Sequence, residues 1–147
     1  MPRKASSRTT IRELTGKTAL LAIFPLVKQQ NKTLTKKQFL MILDEMLPRG
    51  YRCIAAYQGD VIVGICGFWT GHRFWCKKFI DLDNVIVSEA VRSRGIGQQM
   101  VRWVEKEARE LKCDIMGLDS YTTAYAAHRF YFREGYSILG YHFVKKL

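Results

Sequence analysis

The 147-residue chain is long enough for one domain and strongly basic, with 24 lysines and arginines against 13 acidic residues and a formal net charge of +11. Hydrophobic residues make up 48% of the chain, which excludes wholesale disorder. No apolar run approaches the roughly 20 residues that a membrane-spanning helix needs, and no signal-peptide core follows the basic N-terminus. The excess charge favours an anionic partner and is equally compatible with a solvated basic surface.

The four cysteines indicate the compartment. They form no CxxC pair, and Cys53 and Cys66 lie inside apolar strand patterns. Because such positions usually hold buried thiols, we expect reduced cysteines and a reducing compartment. His72 and Cys76 have no further ligands near them in the sequence, so we expect no metal site. The short apolar runs and the missing signal-peptide core lead us to expect no membrane contact and a cytoplasmic location.

The N-terminal ten residues differ from the rest. They read MPRKASSRTT, which is basic, rich in hydroxyl groups and almost without apolar side chains. This composition predicts a flexible basic arm over residues 1–10 and a single domain over residues 11–147.

Apolar residues at helical spacing predict about four helices. The second helix has Thr35 as a candidate N-cap, and Gly135 is placed to end the fourth. The four predicted helices cover residues 19–30, 36–47, 96–111 and 124–134.

Runs of β-favouring residues predict the strands between these helices. Phe74 and Trp75 follow the predicted strand 61–69, and we expect them to pack against the sheet rather than face a substrate. The predicted strands are 11–14, 51–57, 61–69, a strand ending at 85–87, 114–118 and one or two closing strands at 136–139 and 141–144.

The chemistry centres on the turn before the third helix, Arg92 to Gly97 (RSRGIG). Glycines let a backbone approach a ligand closely, and a helix start offers unpaired N–H groups to an anion such as a diphosphate. An ordinary turn with a solvated basic rim remains the alternative. A dinucleotide fingerprint does not fit, because Met100 stands where its third glycine belongs.

Two motifs in this chain resemble a known family. Arg92-x-x-Gly95-x-Gly97 resembles the R/Q-x-x-G-x-G/A signature of the GCN5-related N-acetyltransferases (GNAT). The segment Ala127-x-x-x-Tyr131-x-x-x-Gly135-Tyr136 is similar to a second family motif, A-x-x-x-Y-x-x-x-G-F/Y. The predicted order of elements resembles the family fold from about Ile11 onward. That fold is α/β (α+β), with a mixed, mostly antiparallel twisted sheet of about six or seven strands and about four helices.

The resemblance implies an acetyl-CoA-dependent N-acetyltransferase that moves an acetyl group directly to a primary amine, with acetyl-CoA as cosubstrate and no metal. The pantetheine arm would pair with the strand before the turn, where the N–H of Val87 or Ile86 would polarise the thioester carbonyl. The turn would hold the pyrophosphate. The implied cofactor-binding residues are Val85, Ile86, Val87, Arg92, Ser93, Arg94, Gly95, Ile96, Gly97 and Gln98.

The resemblance also implies catalytic roles. Tyr131 matches a tyrosine that serves as general acid to the leaving thiolate, although a packed helix tyrosine is the alternative. Asp81 and Asp83, two residues apart on one strand, face the same side. Either could accept the proton of the amine, attract a cationic amine, or hold a structural salt bridge.

Several points depart from the family pattern or stay open. Ala124 stands where many members carry an asparagine that contacts the cofactor. The acceptor could be a small molecule, a peptide N-terminus, a lysine, or a nucleic-acid-linked amine such as an aminoacyl-tRNA. Competing functions are a non-catalytic acyl-CoA-binding regulator and a basic nucleic-acid-binding module. Homodimers through a sheet edge or the C-terminal strand are common in the family.

Overall fold

The computed structural model of the chain describes residues 8–92 and 94–147. Most of the predicted basic arm, residues 1–7, lies outside the described residues. The first strand begins at Thr9, two residues earlier than predicted, because Thr9 and Thr10 pair with Gln58 and Tyr57 of the next strand.

Five strands and five α-helices make up the described chain. The strands are β1 Thr9–Leu14, β2 Arg52–Gln58, β3 Val61–Arg73, β4 Lys77–Val87 and β5 Ile115–Leu118. The helices are α1 Lys17–Leu20, α2 Phe24–Gln30, α3 Lys36–Met46, α4 Ile96–Glu110 and α5 Tyr125–Arg133. A 3₁₀ turn at Leu21–Ile23 joins α1 to α2, so these two replace the one helix predicted over residues 19–30.

The strands form one sheet in the order β1-β2-β3-β4-β5. The first three pairings are antiparallel and the pairing of β4 with β5 is parallel. The mixed, mostly antiparallel sheet is therefore confirmed. Its described part has five strands rather than six or seven.

The two predicted closing strands, 136–139 and 141–144, do not form. Residues 136–147 carry no regular secondary structure, and Leu139, Tyr141 and Phe143 are at least 80% exposed. The residues themselves favour strands, but a strand needs a neighbouring backbone to pair with. No described segment of the chain supplies that partner.

Helices cover both faces of the sheet and create two cores. Alternating residues of β2 divide between them: Ile54 and Ala56 face one core, and Cys53 and Ala55 face the other. α4 packs on the first face through Ile96, Met100, Val101, Val104 and Ala108. α1 to α3 pack on the second face through Leu20, Ile23, Leu26, Phe39 and Leu43.

The start of α3 is capped by hydrogen bonds between residues close in sequence. The Thr35 hydroxyl accepts a hydrogen bond from the N–H of Gln38, and the Gln38 side chain accepts one from the N–H of Thr35, which forms a capping box. The predicted N-cap is therefore confirmed. Across the described residues, no helix combines the length and the apolar character that crossing a membrane would require.

The hairpin between β3 and β4 corrects one expectation. Phe74 and Trp75 are 109% and 66% exposed, whereas the adjacent Cys76 is buried. The packing predicted for these two aromatic residues is wrong, because the tight turn at residues 74–76 directs one side chain inward and the other two outward.

Candidate active site

An opening in the sheet lies beside the second half of β4. β5 pairs with β4 only from Phe79 to Leu82, where it ends at Leu118. β4 continues to Val87 and stays paired with β3 on its other side. Within the described residues, the backbone from Asp83 to Val87 therefore borders a gap that no strand fills.

The ladder decides which backbone groups face this gap. The N–H of Ser88 donates to the carbonyl of Val63, 2.8 Å away, and the register pairs Val87 with Gly64 and Ile86 with Ile65. Hydrogen-bonded and non-hydrogen-bonded pairs alternate in an antiparallel ladder. The polar groups of Val87 therefore point away from β3 toward the gap, whereas those of Ile86 point toward β3.

A hydrogen bond from the side chain of Gln29, on α2, confirms that the Val87 carbonyl points away from β3. Gln29 of α2 donates to the carbonyl of Val87 at 3.1 Å and accepts from the N–H of Glu89 at 3.3 Å. Gln29 thus fixes the end of β4 and the 3₁₀ turn Glu89–Val91 that follows it. The sequence reasoning did not single out Gln29, and no local pattern marks a contact across 58 residues.

The two glycines of the turn have different surroundings. Gly95 is the N-cap of α4 and has a φ of 74°, in the left-handed region that favours glycine. A Cβ on Gly95 would meet nothing within 4 Å, whereas a Cβ on Gly97 would lie 3.8 Å from Val87 and 3.9 Å from Phe130. Gly97 thus lies where the end of β4, α4 and α5 meet.

The start of α4 is suited to anion binding. The first N–H groups of a helix have no intrahelical partner, and among the described residues no side chain caps this end. Arg92 and Arg94 are exposed beside it, and Arg92 lies 3.8 Å from Glu89. Ser93, predicted to bind the cofactor, lies outside the described residues.

The predicted cofactor residue Gln98 has a partner within the chain. Its side-chain amide donates to Glu134 at 2.6 Å, and Arg102 lies 3.4 Å from the other oxygen of this carboxylate. The Glu134 side chain is only 8% exposed. The two predicted motifs are therefore joined, since Glu134 lies at the end of α5 and Gln98 in the first turn of α4.

Tyr131 lies on α5, against the same core as α4. Its ring packs edge-on against Phe130 and Tyr136, with centroids 5.1 and 5.5 Å apart. Burial, and secondarily the nearby Cys66, raises the pKa of Tyr131 to about 12. The phenol therefore stays protonated at neutral pH, as a donor to a thiolate must.

Asp81 and Asp83 project from the same face of β4, as predicted from their spacing, and this face is opposite to the one on which Tyr131 packs. Asp81 faces Trp69 in the register and forms an ion pair with Arg73, 2.8 Å away. Asp83 accepts a hydrogen bond of 2.9 Å from the indole N–H of Trp69. Trp69 packs against the core under α1 to α3, whereas Tyr131 packs against the core under α4. The candidate acid and the carboxylates therefore lie on opposite faces of the sheet, with the gap between β4 and β5 beside them.

A β-bulge at Asp83 sets this arrangement. Gly67 pairs with Asn84 and the next residue of β3 pairs with Leu82, so Asp83 is the extra residue. Asn84 then points to the same face and accepts a 2.9 Å hydrogen bond from the Tyr51 hydroxyl. The sequence reasoning missed Tyr51, Trp69 and Asn84. The glycine at position 67 was a signal, since glycine inside a strand often marks a bulge.

An open groove beside α3 includes Trp69, the residue that donates a hydrogen bond to Asp83. Its volume is about 520 Å³, and Trp69 forms part of its lining. The other lining residues are Met41, Ile42, Asp44, Glu45, Met46 and Arg49. A second groove of about 790 Å³, on the far side of Met41 and Ile42, does not include Trp69. The smaller groove is therefore the one that includes the hydrogen-bond partner of Asp83.

Comparison with known proteins identifies a relative that is an N-acetyltransferase by name. An aminoalkylphosphonate N-acetyltransferase from Salmonella typhimurium (strain LT2) is 29% identical over 100 residues, which are 68% of this chain and 65% of that protein. The chain thus matches slightly less than two thirds of the length of that relative.

Solved structures share the fold. The aminoglycoside N-acetyltransferase AAC(6')-Iy in complex with CoA has a TM-score of 0.83 at 18% identity, with 99% of both chains covered. A transcriptional regulator from Bacillus halodurans C-125 has a TM-score of 0.77 at 21% identity, covering 95% of this chain and 100% of its own.

A family model described as "Acetyltransferase (GNAT) family" matches residues 20–136, which span both motifs and the whole sheet except β1. This match covers well over half of the chain and agrees with the resemblance of the turn and of α5. The chain belongs to the acetyltransferase (GNAT) family.

Proposed function

We propose that this protein transfers the acetyl group of acetyl-CoA directly to a primary amine. The observation that carries the proposal is the gap beside Asp83–Val87, which runs into the uncapped start of α4 at Gly95. An extended, partly peptide-like arm with a diphosphate matches this combination of unpaired strand backbone and helix N-terminus. The proposal assigns residues 11–147 to the acetyltransferase domain and residues 1–10 to a basic arm.

The turn and the first residues of α4 would hold the pyrophosphate. The N–H groups of Ile96, Gly97 and Gln98 lie at the positive end of the helix dipole, and Arg92 and Arg94 add charge beside them. Ser93 belongs to the same proposed set. The Gln98 side chain is already bonded to Glu134, so we assign the role of Gln98 to its backbone.

The strand would hold the pantetheine arm through Val85 and Val87. Both residues belong to non-hydrogen-bonded pairs of the β3–β4 ladder, so their backbone polar groups point away from β3. The Val87 carbonyl already accepts from Gln29, so Val87 would contribute its N–H. Between the two donors considered for the thioester carbonyl, the geometry favours the N–H of Val87 over that of Ile86. A fixed N–H lowers the barrier by stabilising the negative charge that develops on this oxygen.

Tyr131 would donate a proton to the departing sulfur. Bound acetyl-CoA supplies an activated thioester, so the protein must mainly orient the amine and protect the leaving thiolate. The hydroxyl of the half-buried Tyr131 remains protonated well above neutral pH, because burial of the residue raises its pKa.

Asp83 is the better placed of the two acceptors for the amine proton. Its carboxylate is exposed at the bulge and accepts one hydrogen bond from Trp69, whereas Asp81 is tied to Arg73. We assign Asp83 the role of accepting the amine proton through a water molecule. Asp81 contributes a negative charge that is paired with Arg73.

The acceptor amine would approach through the groove beside α3. Trp69 forms part of that groove and also bonds Asp83, so an amine lying there comes close to the carboxylate. Two of the proteins named above, the aminoalkylphosphonate and the aminoglycoside N-acetyltransferases, act on small amines by their names, which supports a small amine acceptor. A nucleic-acid-linked amine is the alternative that the net charge of +11 favours.

An amine panel with thiol detection tests the proposal. Aminoalkyl compounds, aminoglycosides, peptides and an aminoacyl-RNA mimic are each offered with acetyl-CoA, and CoA release is measured. Binding of CoA without release for any amine would replace the enzyme with an acyl-CoA-binding regulator. Absence of CoA binding, with salt-sensitive RNA or DNA binding instead, would favour a nucleic-acid-binding module.

Two tyrosines provide a matched pair for the active acceptor. Tyr131→Phe should lower kcat by about a hundred-fold or more, because it removes the general acid, and should leave the affinity for CoA unchanged. Tyr136→Phe removes a hydroxyl that is buried without a hydrogen-bond partner in the described structure, and should keep full activity. Equal loss in both variants would exclude an acid role for Tyr131.

The proposal includes three properties of the whole protein. It is cytoplasmic, which its four free cysteines support. Its basic surface attracts an anionic partner. It forms a homodimer, which the exposed apolar C-terminus supports.

A further inference from the structure

Two large apolar side chains on α3 face water instead of the core. Met41 and Ile42 are 61% and 47% exposed, whereas Phe39 and Leu43 of the same helix are buried. The outer face of a helix that packs on a sheet is normally polar, so packing against the sheet does not account for these two residues. Exposed apolar side chains that lie together are typical of a surface that contacts a ligand.

Both side chains line the groove of about 520 Å³ beside α3. Met46 and Trp69 add two further apolar side chains to its lining. Small-molecule sites usually combine apolar walls with a few polar groups that fix the orientation of the ligand. Methionine side chains are flexible and polarisable, so they adapt to ligands of different shape. The walls of this groove are therefore suited to the apolar part of a small molecule.

The charged side chains of the groove already have partners. Asp44 forms an ion pair with Lys17, and Glu45 forms one with Arg49. Arg49 also donates a 2.9 Å hydrogen bond to the backbone carbonyl of Glu45. A second charge on a substrate lying in the groove, of either sign, would have to displace one of these partners. The groove therefore favours a substrate whose body is uncharged.

One carboxylate beside the groove is free to balance an ammonium group. Asp83 is exposed at the bulge and accepts a 2.9 Å hydrogen bond from the indole N–H of Trp69. Within the described part of the chain Asp83 has no ion pair, whereas Asp81 is paired with Arg73. Trp69 thus links a single free carboxylate to the apolar lining, and the face of an indole also attracts a cation.

We propose that the acceptor of this protein is a monoamine with an apolar body. Its ammonium group is balanced by Asp83, and its hydrocarbon or aromatic part covers Met41, Ile42 and Trp69. Burial of that apolar part supplies the selectivity against amines that carry a second charge, such as polyamines, aminoglycosides and aminoalkylphosphonates. This substrate class deepens the proposed acetyl transfer and rests on it.

The charge of the acceptor also changes during the reaction. The amine nitrogen forms a bond to the acetyl carbon, the carbon–sulfur bond breaks, and CoA leaves as the thiol. An ammonium ion and acetyl-CoA are thereby converted into a neutral amide, CoA and one released proton. The amide no longer attracts the carboxylate of Asp83, so a substrate of this class is held by its charge only until it has reacted.

A series of n-alkylamines from ethylamine to n-hexylamine gives the first test. They share one amine and differ only in apolar length, so kcat/KM with acetyl-CoA should rise about two- to four-fold for each methylene. 1,4-Diaminobutane has the length of n-pentylamine but ends in a second ammonium group, and should react about ten-fold less efficiently or worse. A higher kcat/KM for 1,4-diaminobutane, 2-aminoethylphosphonate or kanamycin than for n-pentylamine overturns the monoamine class and leaves acetyl transfer intact.

A change in the wall of the groove gives the second test. Ile42→Asp places a carboxylate there, and should lower the ratio of kcat/KM for n-pentylamine to that for 1,4-diaminobutane about ten-fold. Val61→Asp, at a 65% exposed valine at the start of β3, is the matched control and should leave this ratio unchanged. The ratio does not depend on the fraction of folded enzyme. An unchanged ratio in Ile42→Asp would show that the body of the amine lies elsewhere.

Binding separates this inference from the proposed function. Calorimetry of the full chain, with and without CoA, measures the affinities for n-hexylamine and 1,4-diaminobutane directly. If no amine releases CoA, acetyl transfer fails, but tighter binding of n-hexylamine that is lost in Ile42→Asp still supports the groove as a site for apolar monoamines. Equal affinities for the two amines, or no binding of either, overturn the inference whether or not acetyl transfer occurs.

Discussion

At the scale of single residues, the two glycines of the turn, Gly95 and Gly97, have different roles. Gly95 provides a left-handed backbone conformation, and the space into which a Cβ would project there is open. Gly97 has an ordinary helical conformation but lies close to Val87 and Phe130, beside the proposed pyrophosphate. One glycine therefore serves the fold of the turn, and the other keeps room at the ligand.

This division can be measured by replacing each glycine with alanine. Gly95→Ala should lower the free energy of unfolding by about 1–2 kcal/mol, because a Cβ strains the left-handed conformation. Gly97→Ala should leave stability unchanged or slightly higher, because alanine favours helices, and should weaken CoA binding. Urea denaturation and calorimetry with CoA separate the two effects. Equal CoA affinity for Gly97→Ala and the wild type would count against close approach of the ligand at this position.

At the scale of elements, the bulge in β4 connects packing to chemistry. The extra residue Asp83 brings Asn84 to the same face, where Asn84 bonds Tyr51. Trp69 lies 5.4 Å from Tyr51 between ring centroids and bonds Asp83. The whole group depends on Gly67, because a Cβ there would come within 2.1 Å of both the Asn84 amide oxygen and the Tyr51 hydroxyl.

Gly67→Ala should therefore be costly. The added methyl forces the Tyr51–Asn84 pair apart, and overpacking of this kind costs about 1–3 kcal/mol of stability. Because the bulge also positions Asp83, kcat should fall even where the variant is fully folded. Gly140→Ala, at a site with no atom within 4 Å, is the matched control and should change neither quantity. A Gly67→Ala enzyme with normal stability would mean that the bulge is not held by this contact.

At the scale of the whole molecule, charge is unevenly distributed. The chain carries a net charge of +11, yet the groove beside Trp69 is lined by Asp44 and Glu45 together with one arginine. Basic side chains instead surround the start of α4, where Arg92 and Arg94 are exposed. The proposed anionic cosubstrate would thus meet the basic start of α4, and the proposed amine would meet a groove whose carboxylates, Asp44 and Glu45, are paired with Lys17 and Arg49.

The basic end of α4 predicts salt-sensitive CoA binding. The dissociation constant should rise several-fold between about 50 mM and 500 mM NaCl, because salt screens exposed charges. Arg94→Gln should weaken binding and reduce this dependence. Arg109→Gln, at the opposite end of the same helix, should do neither. Titrations at several salt concentrations test both variants, and identical salt slopes would exclude Arg94 from the phosphate site.

Buried titratable groups predict the response of the fold to alkaline pH. Burial raises the pKa of Cys53 and Tyr131 to about 12 each, and raises the pKa of Tyr51, Cys66 and Tyr136 as well. The folded state therefore binds more protons than the unfolded state above the ordinary pKa values of thiols and phenols. The stabilisation is complete below about pH 8.5 and is lost as the pH rises toward 12.

Denaturant unfolding at pH 8, 9, 10 and 11 measures this loss. The free energy of unfolding should fall steadily over the series for the wild type. Tyr131→Phe removes one contributing group, so its decline above pH 10 should be shallower. A wild-type stability that stays level from pH 8 to pH 11 would contradict the burial of these groups.

The sequence alone determined the elements whose signals are local. α4 was predicted over residues 96–111 and extends over Ile96–Glu110, and the N-cap at Thr35 and the stop at Gly135 also formed as predicted. Helical spacing, caps and glycine stops depend on neighbours within a few residues, which are visible in the order of residues along the chain. The two motifs and the family followed from the same kind of signal.

Only the tertiary structure decided the features that depend on distant partners. The bulge at Asp83, the bond from Gln29 to Val87 and the direction of the Val87 and Ile86 backbone groups come from the ladder register and the docking of helices. The C-terminal residues illustrate the same limit, since their pattern predicts strands but supplies no neighbour. A strand is completed by backbone groups elsewhere in space, and the order of residues along the chain does not specify where those groups lie.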